Sequence, residues 1–149
     1  MLLCEVFDAR VINLNLKNKT KEPVFMELID AVVAVHPELD RGIMFTAIKT
    51  RESKMNTSVV SGVAVPHGYY PGTGVVAGAI GISGPGIEYE ALDHKPVHCI
   101  FLIIMGETSR EKHVRILSRI LSLIQSDALS YLRSANSPEE VHTLLSRFN

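Results

Sequence analysis

The sequence predicts an α/β (α+β) fold: a three-layer α/β/α sandwich on a mixed sheet, in the order strand, two helices, three strands, three helices. Three observations carry this. Val97–Met105 is apolar along nearly its whole length, as a strand covered on both faces must be. The stretch VVAGAIGI, Val75–Ile82, is small and apolar on both faces. Segments with helical apolar spacing stand on either side of this strand-rich middle, so helices can cover both faces of one sheet.

The elements follow in order. Val11–Leu16 alternates, with Ile12, Leu14 and Leu16 on one face, which predicts a half-buried strand. Thr20 is a candidate helix cap, and Pro23 is tolerated in a first turn. Val24, Leu28, Ala31, Val32 and Val35 give that helix its inward stripe, and His36-Pro37 ends it because the residue before proline avoids the helical region. Asp40 caps a second helix, with Ile43, Met44, Ala47 and Ile48 inward. Val63–Val65 reads as a short strand, Gly84-Pro85-Gly86 as a turn, and Ile87–Ala91 as an edge strand. Thr108 and Glu111 have capping-box spacing ahead of a long helix whose stripe is Val114, Leu117, Ile120, Leu121 and Ile124. A short helix is expected over Ala128–Arg133. Ser137-Pro138-Glu139-Glu140 opens the last one, with a cap, a first-turn proline and a box glutamate.

No internal repeat, low-complexity tract or linker interrupts the 149 residues, which predicts one domain over 1–149. An apolar share of 46% excludes wholesale disorder. The net charge of −1 and the lack of like-charge runs leave no basic footprint for nucleic acid. The longest apolar run, Cys99–Met105, is far too short to insert in a bilayer, and MLLCEVFDAR lacks the pattern of a secretory leader. Cys4 and Cys99 form no metal or redox spacing, so a reducing cytoplasm is the expected compartment.

Three residues stand out for chemistry. His67 follows a strand directly, where the ligand crevices of α/β sheets lie. Pro66 stiffens the backbone before it, and Gly68 allows close backbone approach and turns amide groups toward a ligand. Imidazole in its neutral form is a nucleophile or base, although a histidine in a strand-end turn can also be inert. Arg51 extends the inward stripe of its helix, lying i+4 from Ala47. An inward guanidinium needs an anion; spacing favours an ion pair with Glu52 or another carboxylate, and a phosphate is the functional alternative. His113 heads the stripe of Ile116, Leu117 and Ile120. It is either a satisfied core histidine or a donor to a bound anion. His94 and His98, near Asp93, match no zinc spacing with the other histidines, so no metal is expected. The glycines form neither a phosphate loop nor a dinucleotide fingerprint.

Together these residues resemble enzyme IIA of the bacterial phosphotransferase system, of the mannitol/fructose type that includes the nitrogen-regulatory IIA proteins. RESKMNTSVVSGVAVPHG resembles that family's active-site segment: Arg51, Glu52 and Ser53 open it, Thr57 follows, and Gly62, Ala64, Pro66 and His67 match its Gly-x-Ala-x-Pro-His. GIEYEALDHKPVHCIFLIIM and EKHVRILSRILSLIQSDALSYLRSANSPEEV resemble the family's central-strand and second-histidine regions. The chain departs from the usual pattern at His94, where glycine is common, at Gly106, where proline is, and at Val114, where leucine is. The resemblance implies that His67 is the phosphorylated histidine, with Arg51 and His113 around the phosphoryl group and Thr57 close by. Backbone amides near Gly68 would add to that cradle. It implies a donor, HPr or its nitrogen-branch counterpart, and an acceptor that is a IIB domain or a regulatory target on a separate chain, with no cofactor. A non-catalytic interaction domain on the same fold is the alternative, and the joint presence of Arg51, His67 and His113 argues against it.

Overall fold

The computed structural model describes residues 1–148; Asn149, the last residue of the expected domain, lies outside them. The helices are α1 (Leu3–Val6), α2 (Lys21–Val35), α3 (Arg41–Lys54), α4 (Arg110–Ile124), α5 (Ala128–Arg133) and α6 (Pro138–Leu145). The strands are β1 (Ile12–Asn13), β2 (Ser58–Val60), β3 (Val63–Ala64), β4 (His67–Tyr70), β5 (Val76–Ile87) and β6 (Val97–Gly106). The sheet runs β1-β5-β6-β3-β2, with β4 also on β6. β5 is antiparallel to β6, whereas β3 and β4 lie parallel to it one after the other, so the sheet is mixed.

β6 is apolar throughout because it is covered twice. Cys99, Phe101, Ile103 and Met105 face a core closed by residues of α1, α4, α5 and α6. Ile100, Leu102 and Ile104 face a second core closed by α2 and α3. Two cores on one sheet make the three layers expected. Burial in the first core pushes the Cys99 thiol up to about 12, which makes it an inert packing residue.

Asp40 caps α3 by accepting from the Ile43 amide at 2.9 Å, and Ser137 caps α6 by accepting from the Glu140 amide at 3.2 Å with Pro138 in its first turn. Elsewhere the structure corrects the local reading. The alternation of Val11–Leu16 shrinks to two paired residues after a 3₁₀ turn at Ala9–Val11, and Leu16 goes to the opposite core from Ile12. Thr20 ends up as an extended residue bridged to Glu88, with no side-chain cap bond. Phe25 and Ile29 replace Ala31 and Val35 in the buried stripe of α2, and Ile43 is exposed on α3. α4 starts after Ser109, so the Thr108–Glu111 box does not form; the Thr108 hydroxyl donates to the Thr73 carbonyl and the Ser109 hydroxyl to that of Gly74. The stripe of α4 is His113, Ile116, Ile120, Leu123 and Ile124, with Val114 and Leu121 exposed.

Gly84-Pro85-Gly86 is not a turn between strands. It lies inside β5 as a bulge, across which the pairing with β6 shifts. Gly86 takes the left-handed φ of 95° that the bulge requires. The Ser83 hydroxyl accepts from the Gly86 amide, and His98 Nδ1 donates to the Ser83 carbonyl at 3.0 Å, so His98 belongs to the bulge. Ile87 is the last residue of β5, and beyond it the expected edge strand reduces to one bridge at Glu88.

Candidate active site

Pro66 creates the site. It has no N–H to donate, so the parallel pairing along β6 breaks between β3 and β4. The Val65 amide turns away to the Thr57 carbonyl at 2.9 Å, and the Pro66 carbonyl still accepts from Ile103. His67 is thus the first residue of β4, opposite Ile103. Its Nδ1 stands 2.8 Å from the Val65 carbonyl oxygen. A carbonyl can only accept, so Nδ1 carries the proton and the lone pair of the neutral ring is on Nε2. Burial holds the His67 pKa below the ordinary histidine value against the pull of the Val65 carbonyl, and the Arg51 charge lowers it further.

Arg51 sits in the last turn of α3, where Nη1 donates to the Met55 carbonyl at 2.9 Å. The ion pair that spacing favoured does not form. Glu52 is turned the other way, 3.2 Å from Lys21 Nζ, and among the described residues no carboxylate pairs with Arg51. The guanidinium instead faces the cleft holding His67.

Thr57 is buried behind Arg51. Its amide and hydroxyl both donate to the Glu52 carboxylate, at 3.1 and 2.5 Å. The single hydroxyl proton is committed there, so the Tyr89 hydroxyl, 2.7 Å away, donates to Thr57 Oγ1. Lys21 closes this group, with Nζ 4.5 Å from the centre of the Tyr89 ring. Gly68 has a packing duty distinct from ligand approach. A Cβ there would stand 2.6 Å from the carbonyl carbon of Ala47, so a bare α-carbon is what lets α3 lie on β4.

His113, in the first turn of α4, is 8% exposed. Its ring meets that of His67 edge-on, with centres 5.4 Å apart. Burial, aided by His67 and Arg51, lowers its pKa to about 4, so the ring is neutral at neutral pH. Its Nδ1 is 2.7 Å from the Tyr69 hydroxyl. Among the described residues no buried side-chain nitrogen or oxygen lacks a partner, so the unbonded Nε2 atoms of both rings open onto the cleft. That cleft, about 340 Å³, is lined by Thr50, Arg51, Lys54, His67, Tyr69 and His113. An apolar cleft of about 260 Å³ adjoins it, where Met55, Val59, Leu117 and Leu121 stand beside His67 and Arg51.

The structure therefore brings His67, Arg51 and His113 together and sets Thr57 behind Arg51. Among the described residues no group of three or more metal-binding side chains converges, and His94 stays on an exposed loop with a left-handed φ of 59°. Sequence reasoning missed Tyr69, Lys54 and Tyr89. Tyr69 was within reach: in an extended HGYY, residues 67 and 69 share a face.

Two comparisons of sequence and one of structure bear on this constellation. Residues 5–148 match the family described as "Phosphoenolpyruvate-dependent sugar phosphotransferase system, EIIA 2". The chain is 30% identical over 148 residues to a fructose-specific EIIABC component of Bacillus subtilis, covering 99% of this chain but 23% of that much longer protein. It is 31% identical over 127 residues to a fructose-specific EIIA component of Haloferax volcanii, covering 85% of this chain and 82% of that one. In structure it is similar to the nitrogen regulatory protein IIA-Ntr of Neisseria meningitidis, with a TM-score of 0.87, 25% identity, and 96% and 98% of the two chains covered. The fold, the His67 cleft and these likenesses agree, and the chain belongs to the EIIA 2 family of the phosphoenolpyruvate-dependent sugar phosphotransferase system.

Proposed function

We propose that residues 1–149, as one cytoplasmic domain, carry a phosphoryl group on Nε2 of His67. The group is received from the phosphohistidine of an HPr-like protein and passed to a IIB domain, or held as a regulatory signal. The observation that carries this is the Nδ1–H bond to the Val65 carbonyl. It directs the lone pair of a neutral imidazole into a cleft that holds two cations, Arg51 and Lys54. As Nε2 forms its bond to phosphorus, the donor's N–P bond breaks and that electron pair returns to the donor ring. Positive charge then grows on the His67 ring, and the Val65 carbonyl stabilises it through Nδ1–H. Arg51 neutralises the phosphoryl oxygens, His113 donates to one of them, and backbone amides near Gly68 would add to the cradle, as the family resemblance implies. Thr57 acts from behind, by holding Glu52 away from Arg51. Such a transfer needs in-line placement and charge neutralisation, which these groups supply without a nucleotide or a metal.

The EIIABC name of the Bacillus relative supports a IIB acceptor in sugar uptake, and the likeness to IIA-Ntr supports regulatory use. In either case the product state adds nearly two negative charges to the rim of the sheet.

The test is phosphoryl transfer from phosphoenolpyruvate through enzyme I and HPr, or their nitrogen-branch counterparts, read by intact mass at mildly alkaline pH. An acid-labile label is expected on the wild type and none on His67→Ala. Arg51→Lys should label roughly 10–100-fold more slowly, since a charge-assisted hydrogen bond is worth about 1.5–3 kcal/mol. A folded protein that no carrier labels, or a label that survives in His67→Ala, refutes the proposal and favours an interaction domain.

A further inference from the structure

Tyr69 projects from β4 on the same face as His67, and its hydroxyl meets His113 Nδ1 at 2.7 Å. The two rings contact each other edge-on, with centres 5.2 Å apart. The Arg110 guanidinium lies over the Tyr69 ring, 5.7 Å from its centre. We infer that Tyr69 is a positioning residue: its phenol donates to His113 Nδ1 and so fixes the His113 proton on Nε2, where it faces the group carried by His67. This rests on the phosphocarrier reading for its purpose, though not for its geometry.

Two arguments set the direction of the bond. A phenol O–H is a much stronger acid than a neutral imidazole N–H, and an imidazole nitrogen is the better acceptor, so O–H···N is the favoured pairing. A cation beside the ring draws electron density from the phenol oxygen, which strengthens it as a donor and weakens it as an acceptor. Proton counting then gives the tautomer. The buried neutral His113 ring holds one proton, so an Nδ1 that accepts must leave that proton on Nε2. That atom has no partner among the described residues and opens onto the cleft. The opposite tautomer would direct a lone pair at the phosphoryl oxygens, where repulsion replaces a hydrogen bond. A histidine without Tyr69 can adopt either form, and only one of them helps.

The experiment is a ¹⁵N–¹H correlation spectrum of the histidine rings in unphosphorylated wild type and in Tyr69→Phe, followed by the labelling assay on both. Phenylalanine keeps the ring and its Arg110 contact and removes only the hydroxyl, at a side chain 45% exposed. The wild type should show His113 with pyrrole-type Nε2 and hydrogen-bonded, lone-pair Nδ1. Tyr69→Phe should shift both nitrogens toward a tautomer mixture and label several-fold more slowly, with a lowered kcat and little change in KM for the donor. An Nδ1–H form in the wild type overturns the inference. So does a His113 spectrum that Tyr69→Phe leaves unchanged, or equal labelling rates in the two proteins. Failure of the carrier reading is separately visible, as a wild type that takes no label while its His113 spectrum still reports the tautomer.

Discussion

Gly68→Ala tests whether the fold and the chemistry share one contact. A Cβ on residue 68 would lie 2.6 Å from the carbonyl carbon of Ala47, 2.7 Å from its oxygen and 2.9 Å from its Cβ. Ordinary carbon contacts are about 3.5–4.0 Å, so α3 must retreat from β4 by roughly 1 Å. No rotamer relieves this, because the obstructing atoms are the backbone and the Cβ of an alanine, which has no rotamers. Overpacking of this kind costs about 1–3 kcal/mol, and the upper half of that range applies. At about 2–4 °C per kcal/mol for a domain near this size, Tm should fall by roughly 4–12 °C. The functional effect is larger than the stability effect. Arg51 is one helical turn beyond Ala47, so the retreat carries its guanidinium away from His67, and a misplacement of about 1 Å can slow a positioned reaction by about 10²-fold. Labelling by the phosphocarrier donor should therefore slow about 10–100-fold in protein that is still folded by circular dichroism. Gly84→Ala is the control, because nothing lies within 4 Å of a Cβ there. It should melt within about 1 kcal/mol of the wild type and label normally. A Gly68→Ala protein that matches the wild type in Tm and in labelling rate would refute the argument.

Three further outcomes follow from the same geometry. Burial lowers the pKa of both His67 and His113, the latter to about 4, so between those values and about 6.5 the unfolded chain binds more protons than the folded one. Stability therefore rises with pH across that window, and Tm should drop as the pH falls from about 6.5 toward 4, with a shallower drop in His113→Asn; a pH-independent Tm in that range contradicts the assignment. The labelling rate should hold through about pH 6.5, because burial keeps His67 neutral there, and decline only at lower pH, as the ring takes up a proton and loses its lone pair. Thr57→Val removes the hydroxyl between Tyr89 and Glu52 and leaves both without that partner. Urea unfolding should show a loss of about 1–3 kcal/mol, mostly recovered in Thr57→Ser; an unchanged midpoint would show that the network contributes nothing net.

What the sequence made legible was periodic or residue-specific. β6 announced itself because double coverage demands a long apolar run, and α6 because Ser137, Pro138 and Glu140 stand at capping positions. His67, Arg51 and His113 each stood out by position, but spacing favoured an ion pair for Arg51 and left both histidines open, and only the family resemblance of their segments grouped the three. The misses have physical causes. β2 and β4 are too short for alternation to register, and β4 starts with the residues that punctuate a strand. The bulge at Gly84-Pro85-Gly86 has turn chemistry in a segment that stays in the sheet, and only its partner strand distinguishes the two. The direction of Glu52 was invisible for a related reason. Its neighbours Lys21 and Tyr89 are distant in sequence, so the local spacing to Arg51 was the only signal available.

The backbone around Pro66 links these levels. Residues 64 and 66 face β6, whereas Val65 between them points to the other side, where its amide donates to the Thr57 carbonyl. Thr57 belongs in turn to the group it forms with Glu52 and Tyr89. The Thr57 amide donates to Glu52 rather than back to Val65, so the Val65 carbonyl stays open and accepts from His67 Nδ1. The Thr57–Glu52 bond thus ties the tautomer of His67 to the network that holds Glu52 away from Arg51. The β-strand that resumes at His67 then places Tyr69 two residues on, beside His113. The proton of His67, the turn of Glu52 away from Arg51 and the placement of Tyr69 beside His113 are thus linked through one short stretch of backbone rather than arising as three independent adaptations.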